Sequence, residues 1–415
     1  MRVLLKIISI IGLFICSLIF SLIYFGDRII PDNITIVENS RYDAPKILGM
    51  SIFTAKNETE SDVVSGTARA SSNEAQISIL NVIPVKNSTV VNAKRKYVYL
   101  GGGIFGIKLY TKGVIIVGTD VIDTGGGVVS PAEKAGLKIG DIILSVNGQK
   151  IESVQSLTEI IQASSGKELE FSVLSDGENK QVVFATVKES SSGKYRAGLW
   201  VRDSTAGIGT VTFYNPENGS FGGLGHAIYD TDTQEIMPMQ NGEMAEAYIS
   251  GFYKSSNGSV GELCGVFTGK SLGTLCINGE TGIYGFTDSY AEDKLIPVAV
   301  KQEVKTGKAQ IYCTIDKNGP KYYDVEIIKI YSNSSSVNKD MVIEITDEEL
   351  LAETGGILQG MSGSPIIQNG MLVGAVTHVF VNNTKQGYAI FSERMLETSV
   401  SQEMQKYEQI LKKAS

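Results

Sequence analysis

Histidine, tryptophan and cysteine are all scarce in this chain of 415 residues, which has two histidines, one tryptophan and four cysteines. Two widely separated histidines cannot build the usual zinc site, so we expect no metal and no cofactor. Cys16 lies in an apolar N-terminal stretch, and three cysteines remain outside it. An odd number allows at most one internal disulfide, for which Cys264 and Cys276 are the candidate pair.

The chain also lacks an excess of basic residues. Its 37 lysines and arginines are outnumbered by 45 aspartates and glutamates, which gives a formal net charge of −8. A surface that binds phosphates needs positive potential, so the composition predicts no nucleic-acid partner. The length allows two folded domains beyond the N-terminal stretch.

An uncharged apolar run covers residues 7–25 and is close to the roughly 20 residues that cross a bilayer. Arg2 and Lys6 precede it, so the N-terminus is expected in the cytoplasm and the rest of the chain outside. A cleavable signal peptide is the alternative, but its apolar part is usually shorter and ends at small residues. We therefore predict an uncleaved anchor, followed by a polar, flexible stalk at residues 54–76 that is open to proteolysis.

The most informative motif is GMSGSP at positions 360–365. A serine hydroxyl attacks an acyl carbon effectively only where fixed donors meet the developing oxyanion. A tight turn permitted by glycines can aim the backbone N–H groups of Gly360 and Ser362 at one point. We predict Ser362 as the nucleophile and Gly360 with Ser362 as the oxyanion hole; an ordinary Gly/Ser hairpin loop is the alternative.

A serine nucleophile needs a base, and only His226 and His378 are available. His226 follows FGGLG, a pattern typical of a strand end or tight loop, and we predict that it is the base. His378 lies in a β-branched and aromatic run, which favours a structural histidine in a buried strand.

Sequence spacing does not identify which aspartate orients the base. Asp347 lies 15 positions before the motif's first serine, and Asp230 and Asp232 are rivals close behind His226. Because Glu-Glu-Leu-Leu follows Asp347, the alternative role for this residue is the N-cap of a short helix.

The sequence TGGILQGMSGSPIIQNG at 354–370, continued by GAVTHVFVN at 374–382, resembles the SpoIVB peptidase family, and the resemblance extends over the whole chain. It implies one membrane anchor, a PDZ domain and a chymotrypsin-like peptidase domain. It also implies that Ser362 is the nucleophile, His226 the base and Asp347 the acid. The interval from Asp347 to Ser362 is much shorter than in ordinary chymotrypsin-like proteases, so Asp230 stays open.

The run PAEKAGLKIGDIILSVNG at 131–148 resembles the signature of PDZ domains, in which an extended peptide adds a strand beside a helix. Residues 154–163 are expected to form that helix and residues 107–110 the pairing strand. N–H groups of the 105–107 loop are expected to bind a terminal carboxylate, and an internal segment is the alternative ligand. A purely architectural domain is the alternative. The predicted peptide-binding residues are Phe105, Gly106, Ile107, Lys108 and Leu109.

From residue 195 to 393, short apolar segments separated by Gly, Asn and Asp predict a pair of all-β barrels, and residues 393–411 predict a C-terminal helix. The expected fold is mainly β. The predicted parts are a transmembrane anchor (1–28), an extracytoplasmic stalk (29–96), a PDZ domain (97–190) and a SpoIVB-type serine peptidase domain (191–415).

These observations predict a membrane-anchored serine endopeptidase that acts on protein substrates. The resemblance adds a signalling role in sporulation, in the space between the forespore and mother-cell membranes. It implies cleavage of a membrane-associated regulator and of the enzyme's own N-terminal region. The alternatives are a catalytically idle PDZ scaffold for a membrane partner and an HtrA-like quality-control protease.

Overall fold

The computed structural model describes residues 2–29, 32–37, 50–54, 72–79, 83–256, 258–292, 294–331 and 336–414. Strands dominate the fold. Up to residue 100 the elements are α1 (Arg2–Ile29), β1 (Asn33–Val37), β2 (Met50–Thr54), β3 (Ser72–Ile79), β4 (Ile83–Ala93) and β5 (Tyr97–Leu100). The next group is β6 (Ile104–Thr119), β7 (Ile122–Asp123), β8 (Val128–Val129), α2 (Pro131–Lys134), β9 (Ile142–Val146), β10 (Gln149–Lys150), α3 (Val154–Ser164), β11 (Glu168–Ser175), β12 (Glu178–Ala185), β13 (Val187–Lys188) and β14 (Tyr195–Arg196).

The elements after residue 198 include the strands of both barrels. They are β15 (Leu199–Tyr214), β16 (Ser220–Gly223), β17 (Asn241–Tyr253), β18 (Glu262–Gly279), β19 (Gly282–Thr287), β20 (Leu295–Pro297), a 3₁₀ turn (Lys301–Glu303), β21 (Gly307–Cys313), β22 (Lys321–Ile330), β23 (Met341–Ile345), α4 (Glu348–Thr354), β24 (Pro365–Gln368), β25 (Met371–Phe380), β26 (Asn383–Phe391), α5 (Ser392–Ser399) and α6 (Gln402–Ala414).

Helix α1 contains an apolar stretch, Lys6–Arg28, with a mean hydropathy of 2.6. Its length and composition suggest a single-pass membrane anchor, although a signal sequence near the N-terminus has the same properties. Strands β1, β4, β3 and β2 follow it and form a four-stranded sheet. This sheet corrects the expectation of an unstructured stalk: the predicted flexible segment 54–76 begins in β2 and ends in β3, and its central part, residues 55–71, lies outside the described residues.

The first barrel is a ring of strands in the order β6, β17, β18, β19, β16 and β15, which closes because β6 also pairs with β15. Glycine is common in these strands, and at several positions a Cβ would overlap the neighbouring strand. The ring encloses a small apolar core that includes Phe105, Ile107, Leu109, Val211, Phe221, Met244 and Leu275.

The second barrel closes in the order β21, β22, β23, β26, β25 and β24. Its strands are rich in Ile, Val and Tyr, the residues that suit a pleated, half-buried surface. Its core includes Ile311, Val325, Ile343, Met361, Ile366 and Phe391. The predicted pair of all-β barrels is confirmed. The C-terminal helix is present as α5 and α6, separated by Val400 and Ser401.

The PDZ unit has its own core, with residues of β6, β9, α3 and β11. Helix α3 begins at the predicted residue: the Ser153 hydroxyl accepts from the Ser156 N–H, and the Ser156 hydroxyl accepts from the Ser153 N–H. The tight turn before β10 has Asn147 at φ 51° and Gly148 at φ 76°, as the Asn-Gly pair predicts.

Strand pairing does not follow the predicted boundaries of the PDZ domain at 97 and 190. Residues 104–110 of β6 belong to the first barrel, and residues 114–115 pair with β9 of the PDZ unit. In the same way, β15 starts beside the PDZ unit and ends in the barrel. Two long strands therefore connect the two units as continuous segments.

The predicted peptide-binding strand is wrong on the same observations. Ile107 is opposite Gly207 on one side and Met244 on the other. A peptide can add only to an unpaired edge, so Gly106, Ile107, Lys108 and Leu109, which are paired on both sides, cannot accept one. Phe105 pairs with Gly209, and its side chain is fully buried in the barrel core.

The candidate disulfide is also wrong, since Cys264 and Cys276 are both free. They lie in one strand, β18. Twelve positions of strand extend over roughly 40 Å, far beyond the reach of a disulfide.

Candidate active site

The GMSGSP segment forms a tight turn between α4 and β24. Gly360 and Gly363 have φ of 96° and 93°, a region that favours glycine. A Cβ on Gly363 would lie 2.0 Å from the Thr210 carbonyl oxygen, so no other residue fits there. Two hydrogen bonds hold the turn. The Met361 N–H donates to the Leu358 carbonyl at 3.1 Å, and the Ser364 hydroxyl donates to the Met361 carbonyl at 2.6 Å.

Strand β15 of the first barrel holds this turn from outside. The Thr210 N–H donates to Ser362 O at 3.0 Å, and its hydroxyl donates to Gly360 O at 2.9 Å. The Thr212 hydroxyl donates to Gly363 O at 2.7 Å. The turn of the second barrel is thus fixed by hydrogen bonds to the first.

Two backbone donors of the turn are left without a partner. Within the described residues, the N–H groups of Gly360 and Ser362 donate to no acceptor, whereas those of Met361, Gly363 and Ser364 all do. Unpaired N–H groups are uncommon in a folded turn. Gly360 and Ser362 are the two residues predicted for the oxyanion hole, a site that needs donors that are free until the substrate arrives.

The side chain of Ser362 is partly buried, and its hydroxyl donates to the Thr377 carbonyl at 2.7 Å. No hydrogen bond joins this hydroxyl to either histidine among the described residues. The hydroxyl hydrogen must therefore leave Thr377 before a base can accept it.

His226 lies in the loop after β16, where Leu224 and Gly225 both have positive φ, at 64° and 71°. A Cβ on Gly225 would come within 2.9 Å of the Thr377 side chain, so the loop packs closely on the second barrel. Asn278 of β18 anchors the loop, since its side chain accepts from the Ile228 N–H and donates to the Ile228 carbonyl.

The protonation of the His226 ring follows from its contact with Ala227. Its Nδ1 lies 2.8 Å from the Ala227 carbonyl oxygen, which can only accept, so Nδ1 carries the hydrogen. Nε2 is then the unprotonated nitrogen that can take up a proton. Burial lowers the pKa of His226 and the Ala227 carbonyl offsets part of this effect, so the ring is neutral at neutral pH.

His378 does not behave as a satisfied core histidine. Its ring centroid is 4.7 Å from that of His226, and its buried Nδ1 has no hydrogen-bond partner among the described residues. Burial, together with the charges of His226 and Lys339, lowers its pKa to about 4. Both histidines of the chain therefore lie beside the serine turn.

The structure does not bring Asp347 to His226. The Asp347 side chain accepts from the Leu350 N–H at 2.9 Å and from the Asp324 N–H at 3.2 Å. It caps helix α4, the alternative that its sequence context allowed. In the described part of the chain no hydrogen bond joins it to His226.

Asp230 has other partners as well. Its buried carboxylate pairs with Arg202 at 2.6 Å and accepts from the N–H groups of Asp232 and Thr233. Arg202 also contacts Asp232 at 2.8 Å. Arg202 of β15 therefore holds the two rival acids, and these ion pairs fix the shape of the loop that carries His226.

A cavity of about 450 Å³ lies between the two barrels and contains the candidate residues. The first barrel contributes Thr205, Ala206, Gly207, Ile208 and the His226 loop, and the second contributes Gly360, Ser362 and His378. Asp347 does not line it.

Sequence reasoning missed the residues that hold this site together, which are Arg202, Thr210, Ala227, Asn278 and Thr377. Their hydrogen bonds and ion pairs hold the serine turn or the loop that carries His226, and no sequence motif marks them. The one available signal was Gly-rich spacing around His226, which predicted a tight loop but not its anchors.

Two protein-family models match parts of this chain. Residues 193–396 match the family described as SpoIVB peptidase S55, and residues 125–174 match the PDZ domain family. A probable periplasmic serine protease do/HhoA-like of Haemophilus influenzae is 44% identical over 64 residues, which are 15% of this chain and 14% of that protein. A probable protease eep of Enterococcus faecalis is 36% identical over 91 residues, 21% of this chain and 22% of that protein. The chain thus spans less than a quarter of each of these curated relatives.

Among solved structures, the active form of the Rv3671c protease from M. tuberculosis is 13% identical, with a TM-score of 0.30, over 48% of this chain and 75% of its own. The PDZ domain of the SdrC-like protein from Listeria monocytogenes is 19% identical, with a TM-score of 0.18, over 22% of this chain and 87% of its own. On the family matches, residues 193–396 belong to the SpoIVB peptidase family, and a PDZ domain precedes them in the same chain.

Proposed function

We propose that this protein is a serine endopeptidase in which Ser362 is the nucleophile and His226 the base. The observation that carries the proposal is the cavity between the barrels, where Ser362 lies in a turn with two unpaired N–H groups and His226 lies beside it. Unpaired donors beside a nucleophile have a direct use in acyl transfer.

The chemistry starts from a resting serine. The hydrogen of the Ser362 hydroxyl turns from the Thr377 carbonyl to Nε2 of His226, and the oxygen attacks the scissile carbonyl carbon. The N–H groups of Gly360 and Ser362 receive the oxyanion. His226 then gives its proton to the leaving amine, and a water molecule cleaves the acyl-enzyme by the same route.

The resemblance and the geometry favour different groups as the hydrogen-bond partner that orients the His226 ring. The resemblance supports Asp347 as the acid. The contacts of His226 favour the Ala227 carbonyl, which holds the same ring nitrogen that a carboxylate would hold. The two hypotheses differ in the variant Asp347→Asn, which preserves a helix cap but removes a carboxylate.

The family membership supports a protein substrate, and the N-terminal apolar helix supports an enzyme held at a membrane with its barrels outside the cytoplasm. The resemblance further supports a sporulation role between the forespore and mother-cell membranes, on a membrane-associated regulator. It also supports self-cleavage of the N-terminal region, and the polar composition of residues 54–76 favours that segment as the place.

A fluorophosphonate probe tests the central proposal, because it reacts covalently with an activated serine. The full chain in detergent micelles should be labelled, and Ser362→Ala should not. Ser364→Ala is the matched control in the same turn: its hydroxyl donates to Met361 O, so its loss affects stability but not the nucleophile. Labelling that survives in Ser362→Ala would refute the proposal.

The base is tested with the two histidine variants. His226→Ala should lose labelling as completely as Ser362→Ala, and the double variant should be no worse, because the members of one catalytic unit do not act additively. His378→Ala should keep measurable labelling. An active His226→Ala beside an inactive, stably folded His378→Ala would reverse the assignment.

Self-cleavage needs its own experiment. Fragments from the full chain and from Ser362→Ala are collected over time, and their N-termini are sequenced. New N-termini within residues 54–76 should appear only with Ser362 intact. Equal release from both proteins would assign the cut to another protease. If probe labelling of Ser362 had failed as well, a catalytically idle PDZ scaffold would be the better description of this protein.

A further inference from the structure

The four-stranded sheet that follows α1 is built from two separate parts of the chain. Its order is β1, β4, β3 and β2, so the hairpin of β3 and β4 lies at the centre and β1 and β2 form the two edges. Both edge strands end before residue 55, and both central strands begin after residue 71. The chain passes from the edges to the centre only through the link between β2 and β3.

Backbone pairing joins these two parts on both sides of the sheet. Strand β1 runs parallel to β4, with residues 33–37 opposite residues 89–93. Strand β2 runs antiparallel to β3, with residues 50–54 opposite residues 75–79. A cut in the link between residues 55 and 71 therefore breaks none of these pairs.

Side chains add further contacts between the two parts. Lys86 of β4 lies 2.8 Å from the carboxylate of Asp32, and its Nζ donates to the Asp27 carbonyl at 3.0 Å. Val37 of β1 is 2% exposed, and it lines a cavity of about 340 Å³ together with Val300 and Val400 of the peptidase domain. The segment before residue 55 thus contacts both the central hairpin and the peptidase domain.

The central hairpin is itself fixed to the peptidase domain. Arg95, just after β4, makes two hydrogen bonds to the carboxylate of Glu303, at 2.5 and 2.7 Å. Its guanidinium also donates to the Val298 carbonyl at 3.1 Å. Bidentate pairs of this kind are among the stronger polar contacts. The hairpin therefore stays with the peptidase domain even when the chain before it is cut.

Strand stability opposes separation of the two parts after a cut. A two-stranded hairpin is at best marginally stable in water by itself. Loss of β1 and β2 would leave β3 and β4 with two open edges, whose N–H and C=O groups would have no strand partner. The sheet therefore favours the state in which the N-terminal segment remains bound.

We propose that the hairpin of β3 and β4 is a binding surface for the N-terminal segment 2–54 of the same chain, and that strand pairing keeps this segment bound after a cut between residues 55 and 71. The cut protein is then a complex of two fragments, which α1 still holds at the membrane. This binding claim concerns a cut by any protease, and only its relevance to self-cleavage rests on the proposed peptidase function.

The test uses an external protease on the full-length Ser362→Ala protein in phospholipid vesicles. Residues 60–66 are replaced by the heptapeptide ENLYFQG, which a site-specific viral protease cuts. After cutting, the vesicles are sedimented and the C-terminal fragment is measured in both fractions. It should stay with the vesicles. In the matched control the same heptapeptide is inserted between Ile29 and Ile30, and the fragment should be released, because α1 has no part in the sheet.

A pair of proline variants tests whether β1 holds the fragments together. The Asp32 carbonyl accepts from the Thr89 N–H at 2.9 Å, and the bonds of a parallel pair recur at alternate residues. The N–H of Ile36 therefore points to β4, and that of Thr35 points to the open edge. In the protein with the 60–66 site, Ile36→Pro removes a donor to β4 and should increase release several-fold. Thr35→Pro is the matched control, since an edge strand tolerates proline where its N–H faces solvent.

Three results would overturn the proposal. The first is release after the cut at 60–66 that is as complete as in the control cut beside α1. The second is equal release from Ile36→Pro and Thr35→Pro. The third comes from vesicles with two differently tagged copies: if the N-terminal fragment of one copy purifies with the C-terminal fragment of the other, the surface binds a second copy of the chain.

The proposed peptidase function fails in a different experiment. If the protein with Ser362 intact produces no fragments of its own, self-cleavage is refuted. The retention of the C-terminal fragment on vesicles is measured with Ser362→Ala and an added protease, so that result stays valid.

Discussion

Replacing Arg202 with leucine should destabilise the loop that carries His226. Arg202 contacts Asp230 at 2.6 Å and Asp232 at 2.8 Å. The side chain of Asp230 has 0% exposure, whereas that of Arg202 has 33%. Arg202→Leu therefore leaves a buried carboxylate whose remaining donors are the N–H groups of Asp232 and Thr233.

The magnitude follows from burial. Removing one partner of a fully buried ion pair costs about 3–5 kcal/mol. Because Arg202 is partly solvated and two N–H groups still serve Asp230, we expect about 2 kcal/mol in the free energy of unfolding. The labelling rate of Ser362 should fall as well, since the loop also positions His226.

The pH dependence of this cost has a defined sign. Burial raises the pKa of Asp230, but the N–H groups of Thr233 and Asp232 and the charge of Arg202 outweigh it, so the pKa lies below its ordinary value. A carboxyl group with a lowered pKa stabilises the fold above the unfolded value of 3.8, and this contribution is lost as the pH falls through the folded value. The difference between wild type and Arg202→Leu should therefore shrink in acid.

Urea unfolding at pH 7 and at lower pH measures the effect, with Arg196→Leu as the control. Arg196 makes an exposed pair with Glu189, so its loss should leave stability essentially unchanged. The double variant Arg202→Leu/Asp230→Asn should recover much of the loss, because no buried charge remains. Equal stability of Arg202→Leu and Arg196→Leu, or no recovery in the double variant, would refute the reasoning.

The remaining predictions concern the serine turn, the second histidine and the helix cap. Gly363→Ala should abolish probe labelling and lower the melting temperature, because its Cβ would lie 2.0 Å from the Thr210 carbonyl; a labelled, stable variant would contradict the turn geometry. The wild-type protein should lose about 3 kcal/mol in its free energy of unfolding as the pH falls from 6.5 to about 4, because His378 takes up a proton in the unfolded chain before it does so in the folded one. His378→Phe should not show this loss; urea unfolding across this pH range measures it, and a variant with the same pH profile as the wild type would refute the prediction. Asp347→Asn should keep probe labelling and stability, whereas Asp347→Ala should cost about 1 kcal/mol through the lost bond to Leu350 N–H; loss of labelling in Asp347→Asn with normal stability would favour Asp347 as the catalytic acid.

The PDZ unit and the barrels differ in how far the sequence determined them. Helix α3 and the Asn147-Gly148 turn are local structures, and their capping and turn residues specified them correctly. The pairing of residues 104–110 is not local. Their alternating pattern predicts a strand but does not select its partners, which are β15 and β17, from about 90 to 140 positions further along the chain.

The candidate site shows the same division. The sequence by itself determined the serine turn, because GMSGSP needs glycine where φ is positive, and it limited the base to two histidines. Tertiary structure alone decided that both histidines lie beside this turn and that Asp230 pairs with Arg202. These contacts join residues far apart in sequence, and they depend on how two barrels pack, for which neither spacing nor composition carries a signal.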